Sequence, residues 1–177
     1  MPQLGTLDVS PLLAGAPTMS DLQTDGLLLD LSAMRGVVAT DPVAGRATAL
    51  PGTLIRDFYE PLWDVGLALR NQGDIDTQQI AGAVATGTHG SGTGYTSLSG
   101  VVRGVRLVTA TGDVREVGED DLDLLHAAQV SVGMLGVVTQ LELEVTDVDE
   151  HHVDLYAVTD VDDPEAASWA ATLRVRL

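Results

Sequence analysis

Residues 73–100 read GDIDTQQIAGAVATGTHGSGTGYTSLSG, and both the fold and the chemistry of the chain turn on them. Small residues stand at Gly82, Ala83, Ala85, Gly87, Gly90, Gly92 and Gly94. Such a backbone approaches a ligand closely, and successive N–H groups hold an anion without a cationic side chain. Thr86, Thr88, Ser91, Thr93 and Thr96 add hydroxyls that can reach phosphate or ring heteroatoms. A plain Gly/Ser/Thr surface loop accounts for the composition equally well. Spacing narrows the choice of ligand. The dinucleotide fingerprint G-x-G-x-x-G fails, because Gly90-Ser91-Gly92 is followed by Thr93-Gly94-Tyr95, and a Walker-type phosphate loop fails for want of lysine. His89 takes the first glycine position of a G-x-S-x-G elbow around Ser91, which removes that reading as well.

Upstream, Leu54, Phe58, Leu62, Val65 and Leu69 recur at helical spacing, so residues 53–69 are expected to form a helix, with a break near Pro61. Residues 46–50 and the apolar run LLLDL at 27–31 predict strands. Residues 1–25, rich in Pro, Gly, Ser and Thr, read as an irregular lead-in. Downstream, residues 101–109 predict a strand that continues as a hairpin through Thr111-Gly112-Asp113. Asp120 is placed to cap a helix through Leu122, Leu125 and Ala128, with Gly133 near its end. Val137, Thr139, Leu141, Leu143 and Val145 alternate with Val138, Gln140, Glu142 and Glu144, the pattern of a half-buried strand with a solvated acidic face. After Asp147 the chain turns acidic, and Pro164, Ala166, Ala167 and Ala170 suggest a last helix. The expected organisation is α+β, a mixed sheet flanked by helices, with a domain core at 26–146 and an acidic segment at 147–177.

Composition prunes the functions open to such a fold. Twenty-six acidic against nine basic residues give a formal charge of -17, which repels nucleic acid and anionic membranes. All nine basic residues are Arg, so no lysine can serve as a phosphate anchor, Schiff base or general base. Without cysteine there is no disulfide, thiolate nucleophile or thiolate-bound metal. No segment approaches 18 uninterrupted apolar residues, and a cytoplasmic location is the default expectation. His151 and His152 are adjacent and His126 is distant, a poor arrangement for a metal, and no metal site is expected. The pairs Asp120-Asp121 and Asp162-Asp163 read as solvated caps or turns rather than acid–base dyads.

The run Gln72-Gly73-Asp74-Ile75, followed by residues 80–92 as IAGAVATGTHGSG, closely resembles the flavin-binding core of the vanillyl-alcohol-oxidase superfamily. Within it the similarity is to the L-gulonolactone, D-arabinono-lactone and alditol oxidases, whose FAD-binding domain is of the PCMH type. It extends through DGLLLDLSAMRGVV, LPGTLIRDFYEPLWDVGLAL, VVRGVRLVTATGDVREV and DLDLLHAAQVSVGMLGVVTQLELEV, about residues 21–145 in all. The resemblance implies an FAD site in which Gly87, Thr88, His89, Gly90, Ser91, Gly92, Thr93 and Gly94 wrap the cofactor. Gly73 and Gly82 would flank it, and Gly136, Val137 and Val138 would pack along it. It assigns no catalytic residue, and His89 stands among the cofactor contacts only.

The sequence departs from that family at both ends. Members open with a strand-helix-strand unit ending in a G-x-G-H-S loop whose His often carries the flavin covalently. Here the corresponding place reads Ala14-Gly15-Ala16-Pro17-Thr18-Met19. Pro17 near the expected His implies noncovalent FAD, and it removes a backbone N–H that a phosphate could have used. The first subdomain is expected to be incomplete, exposing apolar surface. Nothing after Val145 resembles the substrate domain of relatives. The implied function is the FAD-binding part of an oxidoreductase acting on the CH–OH groups of sugar lactones or polyols, with hydride passing to the flavin. The chain alone is expected to be incomplete for catalysis. Two alternatives stand beside it: one subunit of a split enzyme, completed by a partner chain, or an inactive remnant that folds but binds FAD weakly or not at all.

Overall fold

The computed structural model describes residues 29–73, 75–90 and 94–148. The lead-in at 1–25, Pro17, His151, His152 and the helix expected around Pro164 lie outside these residues. Six strands form the sheet: β1 Val37–Asp41, β2 Arg46–Ala49, β3 Leu67–Leu69, β4 Val102–Val108, β5 Val114–Val117 and β6 Val137–Asp147. Their order is β1-β2-β6-β4-β5, and β3 pairs with the C-terminal end of β6. The α+β class is as expected. Every pairing among the described residues is antiparallel, so no parallel pair of a mixed sheet occurs among them.

β6 is the spine of the sheet, in register with β2 (Ala47 opposite Leu143), β4 (Val105 opposite Leu141) and β3 (Leu69 opposite Val145). The alternation read from its sequence holds over Leu141, Leu143 and Val145, which are buried and meet Ile55, Phe58, Leu62, Ile80, Leu98 and Leu125 in one apolar core. At the strand's start a register shift against β4 turns Val138, not Val137 or Thr139, toward that core. Burying a leucine as completely as Leu143 contributes about 2 kcal/mol. The acidic face departs from expectation. Glu144 is not freely solvated but ion-paired with both Arg70 and Arg103, and Arg46 reaches Glu142 and Glu119. Burial of Glu144 works to raise its carboxyl pKa, but the Arg103 hydrogen bond and the charges of Arg103, Arg70 and Arg46 outweigh it and hold the group below the ordinary glutamate value.

Three short helices flank the sheet: α1 Tyr59–Trp63, α2 Ile80–Ala85 and α3 Leu122–Gln129. The single helix expected over 53–69 does not form. Residues Ile55–Phe58 make a 3-10 turn, α1 follows, and β3 pairs with β6. Two bonds from outside the segment, Ile55 N–H to Gln78 C=O and Arg56 N–H to Asp76 C=O, both at 3.0 Å, occupy donors at its start. The break falls at Gly66, whose φ of 75° a continuing helix does not permit, and not at Pro61, which α1 accommodates in its first turn. The burial phase changes with it: Val65, expected inside, is exposed, and Leu67 is buried instead.

Two further expectations shift. No strand forms at residues 29–31 and Leu29 is exposed; the rest of LLLDL is outside the described residues. The cap of α3 is Asp121 rather than Asp120, its carboxylate accepting the Leu124 N–H at 3.1 Å. The β4–β5 hairpin forms where Thr111-Gly112-Asp113 predicts it.

Candidate functional site

The glycine-rich block leaves the sheet layer on α2 and returns through the 3-10 turn Ser99–Val101 into β4. Buried Ile80, Ala83 and Val84 anchor α2 in the core, and the Ser99 hydroxyl donates to the Val84 C=O at 2.6 Å. This bond fixes both ends of the loop between them. Gly82, expected to flank the ligand, lies within α2 and is exposed, with open space where a Cβ would stand. The Thr86 hydroxyl is spent on the helix end, donating to the Gly82 C=O at 2.9 Å. Gly87, in the left-handed region at φ 70°, turns the chain out of α2, and the Thr88 N–H returns to the Ala83 C=O at 2.9 Å.

Beyond Thr88 the loop opens to the surface. His89 is exposed and its Nδ1 lies 2.8 Å from the Gly90 C=O. The N–H groups of His89, Gly90 and Gly94 have no hydrogen-bond partner among the described residues. Ser91, Gly92 and Thr93 lie outside those residues. Gly73 is brought against this loop: a Cβ on it would stand 3.4 Å from the His89 C=O and 3.6 Å from Thr88 Cγ2. Thus Gly73, Gly87, Thr88, His89, Gly90 and Gly94 share one region, whereas Gly136, Val137 and Val138 are placed by the entry of β6 beside the end of β4. Gly136 has φ 141°, and a Cβ there would collide with the Val108 C=O, so only glycine lets the two strands close.

Sequence reasoning missed three features around this region. A cleft of about 150 Å³ is lined by Arg70, Asn71, Gly94, Tyr95, Thr96 and Val101. That is below the about 300–1,000 Å³ of a pocket enclosing a drug-sized ligand, so it can seat part of a dinucleotide at most. Tyr59 stands over the neighbouring segment: burial and the Asp76 charge push its phenol pKa up, against a hydrogen bond from Gln72. Val132 lies in the left-handed region at φ 49° in the turn between α3 and β6, beside exposed Val130 and Met134. A β-branched residue held there costs about 1–3 kcal/mol. Gly133 marked the end of α3 in the sequence, but nothing in the pattern disclosed the left-handed Val132 before it.

The donor set fits a flavin dinucleotide. Arg70, the cation of the cleft, is ion-paired with Glu144, a carboxylate it shares with Arg103, so an anionic group would be held chiefly by neutral N–H dipoles and hydroxyls. Among the described residues no cluster of three or more His, Asp or Glu could hold a metal ion. No described helix is long and apolar enough to cross a membrane.

Comparison with known proteins decides the family. The family model for an FAD binding domain matches residues 8–118. The chain belongs to that family. L-gulono-1,4-lactone dehydrogenase of Mycobacterium tuberculosis (strain ATCC 25618 / H37Rv) is 42% identical over 121 residues, covering 68% of this chain and 28% of the relative. L-gulonolactone oxidase of Mus musculus is 31% identical over 135 residues, covering 75% and 31%. Among solved structures, 6-hydroxy-D-nicotine oxidase from Arthrobacter nicotinovorans superposes with a TM-score of 0.65 at 29% identity, over 71% of this chain and 28% of the other. The PCMH-type FAD-binding fold is therefore shown. The chain spans less than a third of the length of these relatives.

Proposed function

We propose that residues 26–146 form the FAD-holding part of an oxidoreductase that acts on the CH–OH groups of sugar lactones or polyols. The observation that carries this is the 42% identity to an L-gulono-1,4-lactone dehydrogenase over 121 residues that include the whole glycine loop. When bound, the flavin supplies the ring that takes a hydride from the substrate carbon. What this chain's residues do is bind and orient. The N–H groups of His89, Gly90 and Gly94, unpartnered among the described residues, would hold heteroatoms and phosphate oxygens, Gly73 lets the adjoining segment pack against the loop, and Gly136 lets β6 enter beside β4. Groups that bind the substrate and move its hydroxyl proton would come from a further domain or partner chain, in keeping with the chain's span of less than a third of these relatives.

Pro17 supports noncovalent FAD, because by the resemblance it lies near the place where family members carry the flavin-linking histidine. The same residue favours the second reading, a remnant that folds but holds no FAD, since proline offers no N–H to a phosphate. Incubation with FAD followed by desalting separates the two. The first reading expects the visible absorbance of flavin to travel with the protein and to pass entirely into the supernatant on acid precipitation. A colourless protein would support the remnant, and flavin that stays in the pellet would refute noncovalent binding.

A further inference from the structure

The glycine loop closes at its base, where the Leu98 N–H donates to the Thr88 C=O at 2.8 Å. Above that base, one residue from outside the loop touches both of its arms. Asn71 Nδ2 donates to the Thr96 C=O at 3.1 Å. The other end of the same amide, Oδ1, lies with the Gln72 C=O so close to the α-carbon of Gly90 that a methyl group there would collide with both. We infer that Asn71 is a positioning residue that braces the loop for FAD, a role that rests on the flavin reading above.

The chemistry of the side chain suits this role. An asparagine amide is short and planar, so that Nδ2 can donate to Thr96 while Oδ1 abuts Gly90 in van der Waals contact. Spanning from Thr96 to Gly90, it fixes the separation of the two arms by one rigid group. Unbraced, a segment with glycine at 87, 90, 92 and 94 loses much backbone freedom on binding, and each N–H must be aimed at the moment the ligand arrives. A brace present beforehand removes that cost and appears as affinity. The absence of a side chain at Gly90 is explained by the same contact: the residue is bare so that Asn71 and the Gln72 carbonyl can seat against it.

The experiment compares wild type, Asn71→Ala and Asn71→Asp by FAD titration and by hydrogen exchange of the apo chain. Asn71→Ala is expected to weaken FAD binding about tenfold, the order of one lost hydrogen bond and the ordering it provided. The Leu98 amide should exchange faster while the β2, β4 and β6 amides keep their rates. Asn71→Asp preserves the shape but sets an acceptor against the Thr96 C=O, so it should resemble the alanine variant, and it supplies the test if the alanine variant does not fold. Adding Gly90→Ala to Asn71→Ala should cost less than the sum of the single effects, because one of the two groups it would strike is gone. Wild type that holds no FAD overturns the cofactor reading. Unchanged exchange at Leu98 in both Asn71 variants overturns the brace whatever wild type does. Faster exchange with unchanged FAD affinity overturns the link between brace and cofactor.

Discussion

The β2-β6-β4 sheet and the loop between α2 and β4 divide the molecule's work. In the sheet, Leu141 and Leu143 are fully buried, and the Arg and Glu side chains of the opposite face pair with one another. In the loop, His89 and Gly94 are exposed and three N–H groups are left without partners among the described residues. A region whose groups are mutually satisfied contributes stability; one that leaves its donors open contributes binding, at a cost borne by the sheet. Substitutions in the two regions should therefore separate on two readouts, urea unfolding and FAD affinity per folded molecule.

The largest expected effect lies in the sheet. Leu143→Ala should lower the unfolding free energy by about 3 kcal/mol in urea titration, from lost transfer energy and the cavity left behind, with FAD affinity of the folded fraction unchanged. Gly136→Ala should blur the division: its φ and the Val108 carbonyl together cost about 2 kcal/mol, and the β6 entry shifts, so stability and FAD affinity fall together. An alanine at 136 with wild-type unfolding and wild-type FAD affinity would show that this turn serves neither.

Glu144→Gln should cost about 1 kcal/mol, since the pair is partly exposed and screened by salt. Its pH dependence has a definite sign. The folded pKa is depressed below the ordinary 4.5, so this contribution is fully present above that value and is lost as pH falls through the lower folded value. Wild type minus Glu144→Gln should therefore shrink below pH 4.5, measured as the difference between urea midpoints across an acid series. Gly90→Ala should also cost about 1 kcal/mol, because its Cβ would meet the backbone C=O of Gln72 as well as Asn71 Oδ1. Its FAD affinity should fall about tenfold through displaced Asn71.

How much of this was readable from sequence depended on the range of the interactions. β6 was legible from Leu141 to Val145, where period-2 alternation is set by one buried face; toward its start a register shift against β4 puts Val138, rather than Val137 and Thr139, against the core. The β4–β5 hairpin was legible because Gly112 marks a turn locally. Residues 54–69 misled because Leu54, Phe58 and Leu62 carry a helical spacing while bonds from Gln78 and Asp76 and the pairing of β3 with β6 come from distant segments. Glu142 and Glu144 read as a solvated face because their Arg partners lie on three other strands or strand ends. The glycine block announced a close backbone approach but not what approaches: at Gly90 it is Asn71 and the Gln72 C=O. Asn71 carried no signal at all, its role being a contact with Thr96 across 25 positions.

Hydrogen exchange of the chain with and without saturating FAD reads the division between loop and sheet at the level of single amides. Exchange should slow at residues 86–98 and 132–138 on adding FAD, with residues 37–49 unchanged. FAD binding that leaves the amides of residues 86–98 at their apo rates would contradict it.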